Sequence, residues 1–212
     1  MRFDKLYEQI KSWRDTVQLK GMTATAYEME QVLKSIESDM RLAEAKESGN
    51  VSIVKVANRI IKNAESGTRD FLKGMFTNKL NGETVYCVCD GYRAVRFNDK
   101  LPLPEIDEKY KDAEFNLTNV CKPSVNAKEI QLPDIADVKV WAKTQKYVEG
   151  KKKYTKPYLL DEEIGVYVNP NYLVDMMECL PNAKVYVASP VSAIYFKADN
   201  GDGVLLPVKN KK

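Results

Sequence analysis

The chain has 212 residues, with 44% apolar and 30% charged side chains and a net charge of +3, a balance typical of globular proteins and unlike that of disordered or membrane-spanning chains. It contains no histidine, which excludes Ser-His-Asp and Cys-His catalysis, histidine metal sites and histidine pH switches. Its four cysteines, Cys87, Cys89, Cys121 and Cys179, are poorly spaced for zinc and read as small core residues of a reduced protein.

The N-terminus, Met1-Arg-Phe-Asp-Lys-Leu-Tyr7, lacks a secretory core and no apolar run approaches the ~20 residues of a membrane span, so a cytoplasmic protein without membrane contact is expected. Phe3, Leu6, Tyr7, Ile10, Trp13 and Val17 recur at spacings of three and four, which predicts an amphipathic helix over 3–17. A second helical pattern, Tyr27 to Ala43, follows the Lys20-Gly21 break, with Thr23 or Thr25 as its cap. Residues 1–48 thus read as a helical appendage, an antiparallel hairpin before the main domain at 51–212.

The main domain opens with a helix capped by Ser52. Its apolar positions Val56, Ala57, Ile60, Ile61 and Ala64 form one stripe, and Lys55, Arg59 and Lys62 lie together on the other face. Ser66-Gly67-Thr68 ends it. Phe71–Thr77 and Thr84–Val88 read as strands around an Asn81-Gly82 hairpin turn, and Tyr92–Phe97 as a third strand after Asp90-Gly91. Less regular sequence follows, with a strand expected at Phe115–Val120 and a short helix carrying Ile135, Val138 and Ala142. Residues 139–156 hold seven lysines against Glu149, a local +6. This lysine-rich insertion, about 133–160, is either an electrostatic footprint for phosphate or a solvated loop.

A second unit begins with a strand at Ile164–Val168. Asn169 suits a helix N-cap and Pro170 the first helical position. Tyr172, Leu173, Met176, Met177 and Leu180 repeat the earlier stripe, with Asp175 and Glu178 off it. Strands are expected at Lys184–Ala188, Val191–Ala198 and Val204–Val208, the last two flanking the turn Asp199–Gly203. Helix followed by strands therefore occurs twice, at about 52–100 and 164–209.

Two groups of motifs resemble a known family. Arg69-Asp-Phe-Leu72-Lys-Gly74-Met-Phe76 with Val85-Tyr-Cys-Val-Cys89-Asp90-Gly91-Tyr92-Arg93-Ala94 is similar to the middle domain of the bacterial DNA polymerase III sliding clamp. Val168-Asn169-x-x-Tyr172-Leu173-Val-Asp175, Pro190-Val-x-x-Ile194 and Leu205-Leu206-Pro207-Val208-Lys209 resemble its C-terminal domain. The resemblance implies an α+β fold, one DNA-clamp-like domain of two helix-plus-strands units with an N-terminal helical hairpin. The family has three such domains in a ring. This chain has room for one, as a phage or mobile-element relative would, so a ring would need an oligomer.

The implied function is that of a non-enzymatic replication accessory without cofactor or metal, whose partners are double-stranded DNA and replication or repair proteins. The alternative is a protein–protein adaptor that keeps the fold and does not encircle DNA. DNA phosphates would meet Lys55, Arg59 and Lys62, and Lys151, Lys152 and Lys153 of the insertion. A peptide-binding groove would draw on Leu72, Cys89, Gly91, Tyr92, Arg93 and Ala94 from the first unit. From the second it would take Val191, Ala193, Val204, Leu206 and Pro207. Leu72, Val204 and Leu206 read equally as core, and Arg93 equally as a structural arginine beside Asp90. Asp161-Glu162-Glu163 and the pair Asp199 and Asp202 are acidic groupings that could in principle bind Mg²⁺. Neither converges with a nucleophile or a phosphate loop, and no Walker A or G-x-G-x-x-G motif is present, so catalysis is not expected.

Overall fold

The structure is a computed structural model that describes residues 2–65, 72–110, 117 and 120–209. The expected helix end at Ser66–Thr68, the motif residues Arg69 to Phe71 and most of the strand expected at Phe115–Val120 lie outside the described residues; Val120 itself is in a turn. The chain divides into two compact units, Met1–Val54 and Lys55–Lys212.

In the first unit, α1 (Arg2–Leu19) and α2 (Thr23–Glu47) form the expected hairpin. Gly21 adopts φ 71°, the left-handed conformation in which a helix commonly ends. Tyr7 donates to Glu37 at 2.5 Å and Arg14 to Glu30 at 2.5 Å, joining the two helices. Neither threonine caps α2. Thr23 is its first residue, and Met22 before it provides no side-chain acceptor.

The helix α3 (Val51–Glu65) starts one residue before Ser52, which is therefore inside the helix and not its cap. Its predicted stripe is buried throughout, from Val56 to Ala64. The strand β1 (Phe76–Leu80) turns through Asn81 (φ 53°) and Gly82 (φ 88°) into β2 (Glu83–Cys89). Two successive positive φ values make the tight turn whose twist matches paired strands. The strand β3 (Arg93–Phe97) follows.

The short helix expected around Ile135, Val138 and Ala142 is present as α4 (Ile135–Thr144), capped by Asp134 at 2.6 Å from the Ala136 amide. After it comes a two-stranded ribbon, β5 (Lys146–Glu149) and β6 (Lys152–Thr155), turning at Gly150 with φ 64°. The lysines that follow the helix therefore sit on a paired ribbon where a loop was one of the two readings. A short strand, β4 (Lys128–Ile130), precedes α4.

β7 (Tyr158–Asp161) pairs with β8 (Val166–Val168), and α5 (Pro170–Cys179) starts as expected, with Asn169 accepting from the Asn171 amide at 3.0 Å. β9 (Lys184–Val187), β10 (Ile194–Ala198) and β11 (Gly201–Leu205) complete the chain. β8 begins two residues later than expected, because Asp161 holds the Ile164 amide at 2.8 Å in a turn. β10 begins at Ile194, because mutual Ser189–Ser192 hydrogen bonds keep Val191 in a turn. The last strand runs from Gly201 to Leu205, not from 204 to 208, so the turn shrinks to Asp199-Asn200.

The class is α+β, with seven antiparallel strands in the order β1-β2-β3-β11-β10-β9-β4. The two units α3-β1-β2-β3 and α5-β9-β10-β11 meet where β3 pairs with β11, Arg93 opposite Leu205 and Phe97 opposite Gly201. Glycine is required at this seam. A Cβ on Gly201 would lie 2.0 Å from the Arg96 carbonyl oxygen, and one on Gly203 would lie 2.8 Å from Met176 Cε of α5. β3 and β11 are buried along their whole length, so both faces of the central sheet are covered. On one face Gly203 lies against Met176 and Leu180. On the other, Ala94, Val204 and Tyr195 cluster with Cys121.

Candidate nucleic-acid and peptide interface

The face of α3 opposite its buried stripe presents Lys55, Arg59 and Lys62, all exposed and spaced i, i+4, i+7. They are not equivalent. Arg59 pairs with two carboxylates of α5, Asp175 and, at 3.2 Å, Glu178. Glu178 also takes Lys139 of α4 at 2.7 Å. α3, α4 and α5 are therefore tied together by charge, and Arg59 is a cation already engaged.

Asp175 is buried and forms a second pair, with Arg93 of β3. Arg93 reaches Asp90 as well, at 3.1 Å. Asp90 accepts from the Tyr92 and Arg93 amides at 3.0 Å each, closing the turn that precedes β3. The guanidinium carbon of Arg93 stands 4.2 Å from the Tyr172 ring centre, where the ring face attracts the cation. Of the two readings of Arg93, its burial and contacts match the structural one, although its partners are carboxylates and not carbonyls. Burial pushes the Asp175 carboxyl above the ordinary range, against the opposing pull of Arg93 and Arg59.

A second buried network lies on the other face of the sheet. Arg96 binds Asp202, its cross-strand neighbour, through two hydrogen bonds of 2.7 and 2.5 Å, and donates to the Cys121 carbonyl at 2.8 Å. Tyr195 donates to the same carboxylate at 2.9 Å. Burial and then Asp202 raise the Tyr195 phenol, and burial pushes the Cys121 thiol up to about 12. Each of these residues has a partner supplied by the fold, while Arg96 Nη1 is buried without a hydrogen bond among the described residues. Asp202 is thus committed to Arg96 and separated in role from Asp199. Among the described residues no group of acidic or cysteine side chains is arranged to hold a metal ion.

The residues assigned to a peptide groove fall into two sets. Leu72, Ala94 and Val204 are buried, and Cys89 is half-buried against both the Leu72 cluster and the Ala94–Val204 cluster. The second set is accessible. Tyr92 is 60% exposed, Leu206 41% and Val191 72%, and Gly91, Ala193 and Pro207 are half-buried. Tyr92 and Leu206 are neighbours, since the Leu206 amide donates to the Tyr92 carbonyl at 2.8 Å. Tyr92 also meets Tyr172 of α5, ring centres 6.0 Å apart.

Lys151 and Lys153 are exposed at the tip of the β5–β6 ribbon, and Lys152 begins β6. Sequence reasoning missed what accompanies them. Tyr147 and Tyr154 face each other across the ribbon and stack at 5.5 Å, and Lys143 and Lys146 join Arg59 and Lys139 around a groove of about 530 Å³ between α3, α4 and α5. The alternation Tyr147-x-Glu149 and Lys152-x-Tyr154 about a glycine was the available signal.

No protein-family model matches the chain, and no curated protein matches it. Bacterial sliding clamps are among the solved structures similar to it. A Caulobacter crescentus β sliding clamp is 14% identical with a TM-score of 0.48, covering 74% of this chain and 64% of that one. The Bacillus subtilis DNA polymerase sliding clamp is 13% identical with a TM-score of 0.47, covering 75% and 63%. A Helicobacter pylori β clamp bound to a DNA ligase peptide is 10% identical with a TM-score of 0.44, covering 74% and 63%. The chain spans less than two thirds of the length of these clamps, and no residue role passes across at such identity. Among the described residues no helix is long and apolar enough to cross a membrane.

Proposed function

We propose that this protein is a non-enzymatic, clamp-like replication accessory that binds double-stranded DNA through Lys55 and Lys62 of α3. The observation that supports it most is the duplicated helix-plus-three-strands unit, with α3 beside α5 and the two lysines outside their ion-pair network. Exposed cations on a regular helix suit phosphate contact without base specificity. Arg59 acts in this reading by discharging Asp175 and Glu178, which would otherwise repel the phosphates. Two exposed motif residues, Tyr92 and Leu206, are neighbours and offer an apolar spot for a replication or repair protein.

The test is binding of a labelled duplex across a salt series. Affinity should fall steeply with salt, and Lys55→Ala and Lys62→Ala should each weaken binding for all sequences alike and flatten the log–log slope by about 0.9. Absence of duplex binding at low salt overturns the proposal.

One observation favours the adaptor reading. The α1–α2 hairpin exposes Phe3, Trp13, Tyr27 and Val32, large apolar side chains that a partner could cover. Under that reading the protein stays monomeric in light scattering with and without DNA, and hairpin substitutions abolish partner binding only.

A further inference from the structure

The groove between α3, α4 and α5 differs from the open face of α3. Lys139 and Lys143 stand at i and i+4 on α4 and both line it, with Lys146 at the head of β5 and Arg59 opposite. Its two carboxylates, Asp175 and Glu178, are already paired with Arg93, Arg59 and Lys139. The uncompensated charge is therefore that of Lys143 and Lys146. Lys143 has no ion pair among the described residues, and Lys146 donates to the neutral Thr155 hydroxyl at 2.8 Å. Asn171 and Tyr172 add an amide and a ring.

At about 530 Å³ the groove has the size of a small-molecule pocket. That is room for about one or two nucleotides of an extended strand. Lys146 lines it and also begins the ribbon, so a strand leaving the groove there runs onto β5–β6. On that ribbon Tyr147 and Tyr154 are each 39% exposed and Val148 63%, beside the exposed lysines of the tip. The ribbon is anchored at its base. The Lys156 amide donates to the Gln145 carbonyl at 2.9 Å, and Trp141 Nε1 donates to the Lys156 carbonyl at 3.1 Å while packing edge-on against Tyr158. Trp141 is thus engaged in holding the ribbon, and the two tyrosines are left facing solvent. Cations that track a backbone next to exposed rings are the arrangement that binds unpaired nucleotides, because every base has a face that stacks.

We propose that this groove and ribbon bind single-stranded nucleic acid, with phosphates on Lys143 and Lys146 and an unpaired base on the Tyr147–Tyr154 pair. The proposal rests on the duplex reading and extends it to a neighbouring surface, which meets the α3 face at Arg59. The test is fluorescence anisotropy of the full chain with a labelled oligothymidylate of about a dozen nucleotides, the length order of single-strand sites, beside the same measurement on duplex. Lys143→Ala and Lys146→Ala should each weaken oligothymidylate binding and flatten its salt slope by about 0.7. Tyr147→Ala should weaken it on the order of tenfold and Tyr147→Phe should restore it, since the phenyl ring still stacks. Circular dichroism confirms that each variant is folded, and duplex binding should be unchanged in all four. The proposal is overturned by duplex binding without oligothymidylate binding, which leaves the α3 reading standing. It is equally overturned if oligothymidylate binding is insensitive to these variants or falls only with Lys55→Ala and Lys62→Ala.

Discussion

Asp175 holds the two helix-plus-strands units together, and its removal should be felt across the second compact unit. Its side chain is 6% exposed and that of its partner Arg93 0%. Asp175→Asn keeps the shape and an acceptor oxygen but removes the charge that two arginines share. Breaking a buried pair by neutralising one partner costs roughly 3–5 kcal/mol, because the other charge is left in a low dielectric. Arg93 retains Asp90 at 3.1 Å and burial already disfavours the Asp175 charge, so the lower end, about 3 kcal/mol, is expected. For a chain of this length that is a fall of about 6–12 °C in melting temperature. The chain has two tryptophans, Trp13 in the first unit and Trp141 in the second. Urea titration in a Trp13→Phe background therefore reports the second unit through Trp141 fluorescence. Glu178→Gln is the control. Glu178 is on the same helix but pairs with Arg59, 53% exposed, and Lys139, 45% exposed, so its loss should stay within about 1 kcal/mol. The reasoning is refuted if Asp175→Asn costs no more than Glu178→Gln.

Gly201→Ala should cost about 3 kcal/mol, the upper range for single substitutions, because its Cβ would lie 2.0 Å from the Arg96 carbonyl oxygen in the β3–β11 seam. Gly82→Ala, where φ is 88° but nothing lies within 4 Å, should cost about 1 kcal/mol; urea midpoints compare them. In the native protein Cys89, half-buried, should react first with Ellman's reagent. Cys87, Cys121 and Cys179 are buried, with burial pushing Cys121 up to about 12 and the other two further in the same direction. Cys89→Ser should remove the fast phase, and urea should release the rest. The Tyr7 phenol is pushed up to about 12 by its hydrogen bond to Glu37. The folded hairpin therefore holds this proton when the unfolded chain, titrating near 10, has lost it, and stability should fall between those values as pH rises. Tyr7→Phe should abolish that component of helix loss followed by circular dichroism.

Local chemistry was readable where one segment determines its own structure. The α3 stripe, the Asn81-Gly82 turn and the Asn169-Pro170 helix start depend on spacing or on backbone preference, and each is where it was expected. Misplaced features depend on segments far away in the chain. Gly201-Asp-Gly203 has the composition of a turn, yet its glycines serve the close approach of β3 and its aspartate meets Arg96. Asp175 lies off the apolar stripe of α5 and so reads as solvated, but its partners Arg93 and Arg59 are 82 and 116 residues away. Val191 belongs to an apolar run that reads as strand, and only the Ser189–Ser192 hydrogen bonds hold it in a turn.

One signal for this distant pairing does reside in a single segment. Arg93-Ala-Val-Arg96-Phe97 places two arginines in an otherwise apolar strand. Being three residues apart, they point to opposite faces of the sheet. An arginine within such a run is tolerated only if a carboxylate meets it. Two of them therefore require two acids, one on each face, and a sheet covered on both sides, which makes this a central strand. Asp202 satisfies one demand from the neighbouring strand and Asp175 the other from the helix above. Of the two acids of α5, Asp175 is thus committed to the interior, while Glu178 stays at the surface with Arg59 and Lys139.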